Sequence, residues 1–173
     1  MTQRMTRRDS LKSGAAIGAG FWLGGSTSSR ADDSPNEKLN VACIGIGGRG
    51  AANVAGVSKQ NIVAMCDLDE SRAGKMFEKH PKAKRFEDFR KMLDQMDGQI
   101  DAVVVSTPDH THYHASMMAM RMGKHLYCEK PMAHSVWEIR EMTNMAKKMK
   151  LATQLGVQRH TLSVMHRSVE LIE

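Results

Sequence analysis

Aromatic side chains are scarce in this chain of 173 residues, which contains two Trp, two Tyr, four Phe and three cysteines. Its basic residues are not interleaved with aromatic ones, so we exclude nucleic acid as a partner. The number of cysteines is odd, and their spacing is not the close, matched spacing of a metal site; they are Cys43, Cys66 and Cys128. We therefore predict no metal and expect the three thiols to be small buried apolar groups.

Acidic residues are fewer than basic residues at the amino-terminal end of the chain, and this end supplies most of the net charge of +6. Residues 1–31 carry five Lys or Arg and one Asp, whereas the remainder carries 20 Lys or Arg and 18 Asp or Glu. The basic character therefore belongs mainly to the leader. The rest of the chain is close to neutral and has no basic stripe.

The leader has the layout of an export signal. Arg7 and Arg8 precede a mildly apolar stretch over residues 14–25, whose length of about 12 residues is well short of the roughly 20 that span a bilayer. We predict a twin-arginine signal peptide over residues 1–31, followed by a flexible linker over residues 32–38. The signal implies the twin-arginine export machinery as a partner, a periplasmic location and no stable membrane insertion. A disordered basic tail is the alternative.

After the linker, strand-like and helix-like segments alternate. Strand-like apolar runs occupy residues 39–44, 61–66, 101–105, 125–128 and 152–155, with a short candidate at 83–86. Helix-like segments occupy residues 49–58, 70–79, 87–96, 112–122, 135–149 and 162–173. This alternation predicts βαβ units that form a parallel sheet with helices on both of its faces.

The first strand-like run ends in a Gly-x-Gly-x-x-Gly pattern. In such a loop the first glycine allows a tight turn, the second lets the backbone approach a pyrophosphate, and the third lets the next helix pack on the strand. The amino end of that helix directs N–H groups at the anion. We therefore predict that the loop binds a dinucleotide through Gly45, Ile46, Gly47, Gly48, Arg49 and Gly50.

Asp67 ends the next strand-like run, 22 positions after Gly45. A carboxylate there suits the hydroxyls of an unphosphorylated ribose and repels a 2′-phosphate, so we predict NAD in preference to NADP. Arg72 lies just beyond and could meet a 2′-phosphate, which keeps NADP as the less favoured cofactor. A plain strand–turn–helix in which Asp67 caps a turn is the structural alternative.

Two further polar clusters follow strand-like runs, where ligands bind in an open α/β sheet. One contains Ser106, Thr107 and Pro108, with Asp109 or Thr111 expected as the N-cap of the next helix. The other begins at residue 129 with Glu, Lys and Pro. From its position alone, the lysine is either a surface residue or a cation that meets cofactor and substrate.

Histidines at alternate positions, His110, His112 and His114, could suggest a metal site. In an extended strand, alternate side chains share one face. After Pro108 the chain turns into a helix, in which positions i and i+2 point apart. The pattern therefore does not predict a metal site.

The glycine loop, the acidic strand end and the two polar clusters, in this order and spacing, resemble the Gfo/Idh/MocA family, the glucose–fructose oxidoreductase and inositol dehydrogenase-like group. The resemblance covers residues 39–173. It implies a Rossmann-type, doubly wound α/β fold with strand order 3-2-1-4-5-6 and an NAD(P)-binding domain over residues 39–160. It also implies hydride transfer between nicotinamide and a carbon of a carbohydrate substrate, a sugar or polyol.

The resemblance also implies roles for the later clusters. Besides the glycine loop and Asp67, the cofactor-binding positions would be Ser106, Thr107, Pro108, His112, Glu129 and Lys130. Lys130 would be the catalytic residue, because an ammonium near the substrate hydroxyl can stabilise a developing alkoxide and help to move a proton.

Members of this family are longer and carry a second, C-terminal α/β domain with a catalytic histidine. Such a domain is absent from this sequence, so we expect a fragment in which residues 161–173 begin the helix that leads to it, and a homo-oligomeric full-length protein. Two other hypotheses stay open. The protein could be an NAD-dependent glycoside hydrolase that oxidises its sugar transiently, or a non-catalytic nucleotide-binding module.

Overall fold

A computed structural model describes residues 38–158 and 162–172 as alternating strands and helices. The strands are β1 Asn40–Ile44, β2 Asn61–Cys66, β3 Lys84–Phe86, β4 Ala102–Val105, β5 His125–Glu129 and β6 Thr153–Gly156. The helices are α1 Arg49–Gly56, α2 Glu70–Lys79, α3 Phe89–Met96, α4 Asp109–Arg121, α5 Val136–Met149 and α6 Ser163–Ile172. A short 3-10 turn, Asp97–Gln99, connects α3 to β4.

The six strands form one parallel sheet in the order β3-β2-β1-β4-β5-β6. The predicted fold class and strand order are confirmed. Ile44, at the end of β1, lies opposite Cys66 of β2 and Val105 of β4. The carboxyl ends of the central strands therefore meet at one edge, and the chain changes direction across the sheet between β1 and β4.

The central strands are buried on both faces, which explains their continuous apolar sequences. In β1, Ala42 and Ile44 belong to a core with α3, α4 and α5, whereas Val41 and Cys43 belong to a core with α1 and α2. Alternate residues of a strand face opposite sides of the sheet, so β1 contributes to both cores. All three cysteines are buried and unpaired, as expected.

The start of α4 differs from the prediction. The helix begins at Asp109 rather than at residue 112, and Pro108 is its N-cap, so the expected capping by Asp109 or Thr111 was wrong. Pro108 has extended backbone angles and a free carbonyl, which accepts hydrogen bonds from both the N–H (3.0 Å) and the hydroxyl (2.8 Å) of Thr111. The Asp109 carboxylate sits in the first turn, where the helix dipole favours a negative charge.

The predicted signal peptide and almost all of the predicted linker lie outside the described residues, as do residues 159–161 and 173. Their predicted roles stay predictions. Among the helices that the structure describes, none is long and apolar enough to cross a membrane.

Gly50 offers a direct test of how α1 packs. A Cβ at Gly50 would collide with the carbonyl of Gly45, whereas a Cβ at Gly56, in the same helix, would meet nothing within 4 Å. We expect Gly50→Ala to lower the free energy of unfolding by about 3 kcal/mol because backbone must move. Gly56→Ala should raise it by roughly 0.5 kcal/mol. Denaturant unfolding of both variants measures the difference, and equal stabilities would contradict this packing.

Candidate dinucleotide-binding site

The loop after β1 packs main chain directly on main chain. Gly45 has φ 76°, a left-handed conformation, and its N–H donates to the Cys66 carbonyl at 2.8 Å. A Cβ on Gly45 would lie 2.7 Å from the Thr107 nitrogen and 2.8 Å from the Ser106 carbonyl carbon. Only glycine combines this φ with this approach. The loop therefore lies between the ends of β2 and β4.

The amino end of α1 has the features of an anion site. Gly48 is its N-cap with φ 53°, and no side chain caps the helix. The first turn has no acidic residue and begins with Arg49, whose side chain is 54% exposed. An added Cβ at Gly48 would meet nothing within 4 Å, so the loop is open here. Gly48 and Arg49, at the amino end of α1, thus border the same open space, which suits a phosphate.

Asp67 lies at the end of β2 and reaches back to the loop. One carboxylate oxygen, Oδ2, accepts hydrogen bonds from the N–H groups of Ile46 at 2.8 Å and Gly47 at 3.0 Å. The other, Oδ1, accepts from the Asp69 N–H at 3.0 Å. The carboxylate therefore holds the glycine loop in shape. It is half-buried and still borders the open cleft.

A cleft of about 570 Å³ lies along this edge of the sheet. The predicted residues that border it are Gly45, Gly47, Gly48, Arg49, Asp67, Ser106, Thr107 and Pro108. Gly50 and the side chain of Ile46 are buried beside it instead. Three other predicted positions, His112, Glu129 and Lys130, lie outside its lining. The structure thus brings together the residues expected at the diphosphate and the adenosine ribose, and it places the others behind or beyond them.

The turn after β3 supplies a wall of the cleft that the sequence analysis missed. Arg90 makes a bidentate ion pair with Asp88, with Arg90 Nε to Asp88 Oδ1 and Arg90 Nη2 to Asp88 Oδ2 both at 2.9 Å. These hydrogen bonds lower the pKa of Asp88 to about 2. The Arg90 guanidinium also lies 5.9 Å from the ring centre of Phe89. The sequence did contain a signal for this wall, namely the short strand β3. Because β3 lies beside β2 and both strands end at the same edge of the sheet, the turn after β3 has to lie near the cleft.

Glu129 is the most heavily bonded side chain near the site. It is 5% exposed. Its Oε1 lies 3.2 Å from Arg49 Nε and 3.1 Å from Asn53 Nδ2, both on α1, and it accepts further hydrogen bonds from Gln158 at 2.6 Å and the Tyr127 hydroxyl at 3.3 Å. Glu129 therefore ties α1 to the ends of β5 and β6.

The surroundings of Glu129 keep it ionised. Burial by itself raises the pKa of Glu129, but the hydrogen bonds from Asn53, Arg49, the Lys130 N–H and Gln158 outweigh burial and lower it below the ordinary glutamate value. Asn53 also donates to the Ser106 hydroxyl at 2.7 Å. Sequence reasoning missed Asn53, although it lies one helical turn after Arg49 and therefore on the same face of α1.

The predicted cofactor-binding residue His112 is buried, with 1% of its surface exposed. Its ring nitrogens both lie against main-chain carbonyl oxygens, of Pro131 and of Thr107. No ring nitrogen is left for a cofactor atom, so its predicted contact with the cofactor would have to be indirect. His110 and His114 are exposed on the same helix. In the described part of the chain no cluster of three His, Cys, Asp or Glu is placed to hold a metal ion.

Comparison with known proteins identifies this arrangement. A Gfo/Idh/MocA family model, described as an oxidoreductase family with an NAD-binding Rossmann fold, matches residues 39–157. A glycosyl hydrolase family 109 protein of Solibacter usitatus is 34% identical over an alignment 182 residues long, gaps included, that covers 93% of this chain and 39% of that protein. D-glucoside 3-dehydrogenase of Escherichia coli is 36% identical over 88 residues, covering 51% of this chain and 24% of that protein.

Solved structures share the fold. Scyllo-inositol dehydrogenase from Lactobacillus casei, with bound NAD(H) and scyllo-inositol, matches with a TM-score of 0.68 and 21% identity, over 78% of this chain and 41% of that one. At this identity the likeness shows the fold alone. The chain spans 39% and 24% of the lengths of the two curated relatives.

Replacing Glu129 tests its structural role. We expect Glu129→Ala to lower the free energy of unfolding by about 2 kcal/mol, because it leaves charged and amide donors unpaired. Glu129→Gln keeps the shape and removes the charge. The pKa of Glu129 is lowered in the folded state, so its contribution is complete above the ordinary glutamate pKa and is lost as the pH falls through the lowered value.

Denaturant unfolding as a function of pH measures this effect. The difference in stability between wild type and Glu129→Gln should be largest near neutral pH and should shrink in acid. Glu78→Gln, at an exposed position on α2, is the control for losing one carboxylate. A difference that does not change with pH, or one as small as that of the control, would contradict the role given to Glu129.

Proposed function

The chain belongs to the Gfo/Idh/MocA oxidoreductase family, with its NAD-binding Rossmann fold, and we propose that it is the cofactor-binding part of an enzyme that transfers hydride between nicotinamide and a sugar or polyol carbon. The observation that carries this proposal is the placement of the glycine loop, the uncapped amino end of α1 and Asp67 along one cleft. These groups match the diphosphate and the ribose of one dinucleotide.

The cleft fits the adenosine half of NAD. Gly48 and Arg49 would hold the diphosphate at the amino end of α1, where the backbone is bare and the first turn has no acidic residue. Asp67 would meet the ribose hydroxyls with a carboxylate that the loop amides already hold in place. A 2′-phosphate would bring negative charge against this carboxylate, which favours NAD over NADP.

The reacting half of the cofactor would lie beyond Ser106 and Thr107, toward Lys130. Bound nicotinamide supplies the hydride chemistry. Lys130 is exposed, and among the described residues its ammonium has no hydrogen bond or ion pair. It is therefore available to bind a substrate hydroxyl, to stabilise negative charge on that oxygen and to assist in moving its proton.

Relatives of this chain support the substrate class. One is named D-glucoside 3-dehydrogenase and another inositol 2-dehydrogenase, of Saccharopolyspora erythraea, which is 34% identical over 99 residues. Both names are those of dehydrogenases, one of a glucoside and the other of inositol. A carbohydrate or cyclic polyol is accordingly the substrate class that we propose for the whole protein.

A second candidate is an NAD-dependent glycoside hydrolase. The observation in its favour is that the relative aligned over 93% of this chain is named a glycosyl hydrolase family 109 protein. In such a reaction the sugar is oxidised transiently, the glycosidic bond is eliminated, water adds to the double bond that this leaves, and the sugar is reduced again by the hydride removed in the first step. A dehydrogenase accumulates NADH, whereas the hydrolase releases sugar without net NADH.

We also propose, from the leader sequence, export by the twin-arginine machinery to the periplasm. That route carries folded proteins, so a cofactor acquired in the cytoplasm could travel with its protein. A homo-oligomeric full-length protein is proposed from the family resemblance.

Cofactor preference is measured by calorimetric titration with NAD⁺ and NADP⁺. We expect the chain to bind NAD⁺ more tightly. Asp67→Asn keeps an oxygen that can accept hydrogen bonds from the loop amides but removes the charge. The ratio of the NADP⁺ dissociation constant to the NAD⁺ dissociation constant should therefore fall by about tenfold, which is 1.4 kcal/mol. Asp94→Asn, at an exposed position on α3, is the matched control and should leave the preference unchanged. An unchanged preference in Asp67→Asn would show that another group reads the ribose.

Turnover tests the role of Lys130 in the protein that carries the complete active site. Lys130→Ala should reduce turnover by about 100-fold or more, as is typical for loss of a proton-transferring group, while NAD⁺ affinity stays within about threefold. Lys148→Ala, at an exposed position on α5, is the control. Near-normal turnover of Lys130→Ala would remove this lysine from the mechanism. Following NADH and free sugar in the same assays separates the two candidate reactions.

A further inference from the structure

His112 bridges two loops that belong to different strands. Its Nδ1 lies 2.7 Å from the carbonyl oxygen of Pro131, in the loop after β5. Its Nε2 lies 2.6 Å from the carbonyl oxygen of Thr107, in the loop after β4. The ring is 1% exposed, so water does not compete for either nitrogen. The imidazole thus fills the space between the two loops.

Both partners of the ring are carbonyl oxygens, which accept hydrogen bonds and cannot donate them. Either neutral tautomer of the imidazole donates to one of the two, and the doubly protonated ring donates to both. The ring is therefore hydrogen-bonded to at least one of the two loops and in close contact with the other. Phenylalanine has a similar shape and donates to neither.

Lys130 depends on these loops for its position. Its ammonium has no partner among the described residues, so only its main chain is anchored. The Lys130 N–H donates to Glu129 Oε2 at 3.2 Å, and the next residue, Pro131, is the one held by His112. The main chain is thus held on both sides of Lys130.

The other loop held by His112 is a wall of the cofactor cleft. Thr107 and Pro108 border the cleft, and Thr107 packs on Gly45 of the glycine loop. One imidazole therefore sets the distance between the cleft wall and the lysine loop. A shift of about 1 Å between such groups is enough to slow an enzymatic reaction substantially.

We propose that His112 is a positioning residue that fixes Lys130 relative to the bound cofactor, without touching the cofactor itself. This inference rests on the proposed function, in which Lys130 acts beside the nicotinamide. It differs from a general structural role, because loss of the bridge should change the response of Lys130 to the cofactor in a protein that still folds and still binds NAD⁺.

The test follows Lys130 directly in this chain. Reductive ¹³C-dimethylation labels the lysines and keeps their charge, and Lys130→Arg identifies the Lys130 signal by its loss. In wild type, adding NAD⁺ should shift this signal. In His112→Phe, at NAD⁺ concentrations that calorimetry shows to be saturating, the shift of the Lys130 signal should be lost or strongly reduced.

Two further variants complete the experiment. His114→Phe changes an exposed histidine on the same helix and should respond as wild type does. His112→Gln restores one donor and should recover part of the Lys130 response. This variant decides the matter if circular dichroism shows that His112→Phe does not fold.

The outcomes separate this inference from the proposed function. A full wild-type response of Lys130 in folded His112→Phe, or in His112→Gln when His112→Phe does not fold, would overturn the positioning role. Absence of NAD⁺ binding by wild type would instead overturn the proposed function. NAD⁺ binding without any wild-type response of Lys130 would remove the lysine from the site, and the positioning role with it.

Discussion

The site depends on the close approach of bare main chain at the carboxyl ends of β1, β2 and β4. Gly45 donates its N–H to the Cys66 carbonyl and leaves no room for a side chain against Ser106 and Thr107. Gly50 then lets α1 lie on the carbonyl of Gly45. Because no side chain separates these backbone segments, α1 can begin immediately beside the ends of β1 and β4. Its amino end therefore lies at the point where the strand order reverses. This packing supports the anion site that we propose at that point.

The same helix connects the two halves of the proposed site. Arg49 begins α1 at the expected diphosphate position, and its Nε also binds Glu129 at the end of β5. Asn53, one turn later, joins Glu129 to Ser106. A ligand at the start of α1 is therefore linked through two side chains to the strand that leads into Lys130. This geometry explains why a carboxylate as deeply buried as Glu129 stays ionised.

The sequence predicted features that depend on local pattern. The glycine spacing predicted the position of the loop, and the continuous apolar runs predicted the buried strands. The position of Asp67 directly after a strand-like run predicted that its carboxylate lies beside the loop. Features that depend on packing between distant segments escaped prediction. The two carbonyl partners of His112 come from loops that meet only in the folded sheet, and the ion pair of Arg90 enters the cleft because β3 is the outer neighbour of β2. The prediction for the start of α4 was wrong because Pro108 occupies the N-cap position itself, where its carbonyl accepts hydrogen bonds from Thr111.

We propose that the loop between β1 and α1 holds the diphosphate of NAD. Amide NMR of the ¹⁵N-labelled chain during addition of NAD⁺ shows which N–H groups the cofactor reaches. We expect the largest shifts at the N–H groups of Gly47, Gly48 and Arg49, with further shifts beside Asp67. Shifts confined to the opposite edge of the sheet, around α5 and β6, or no shifts at saturating NAD⁺, would contradict it.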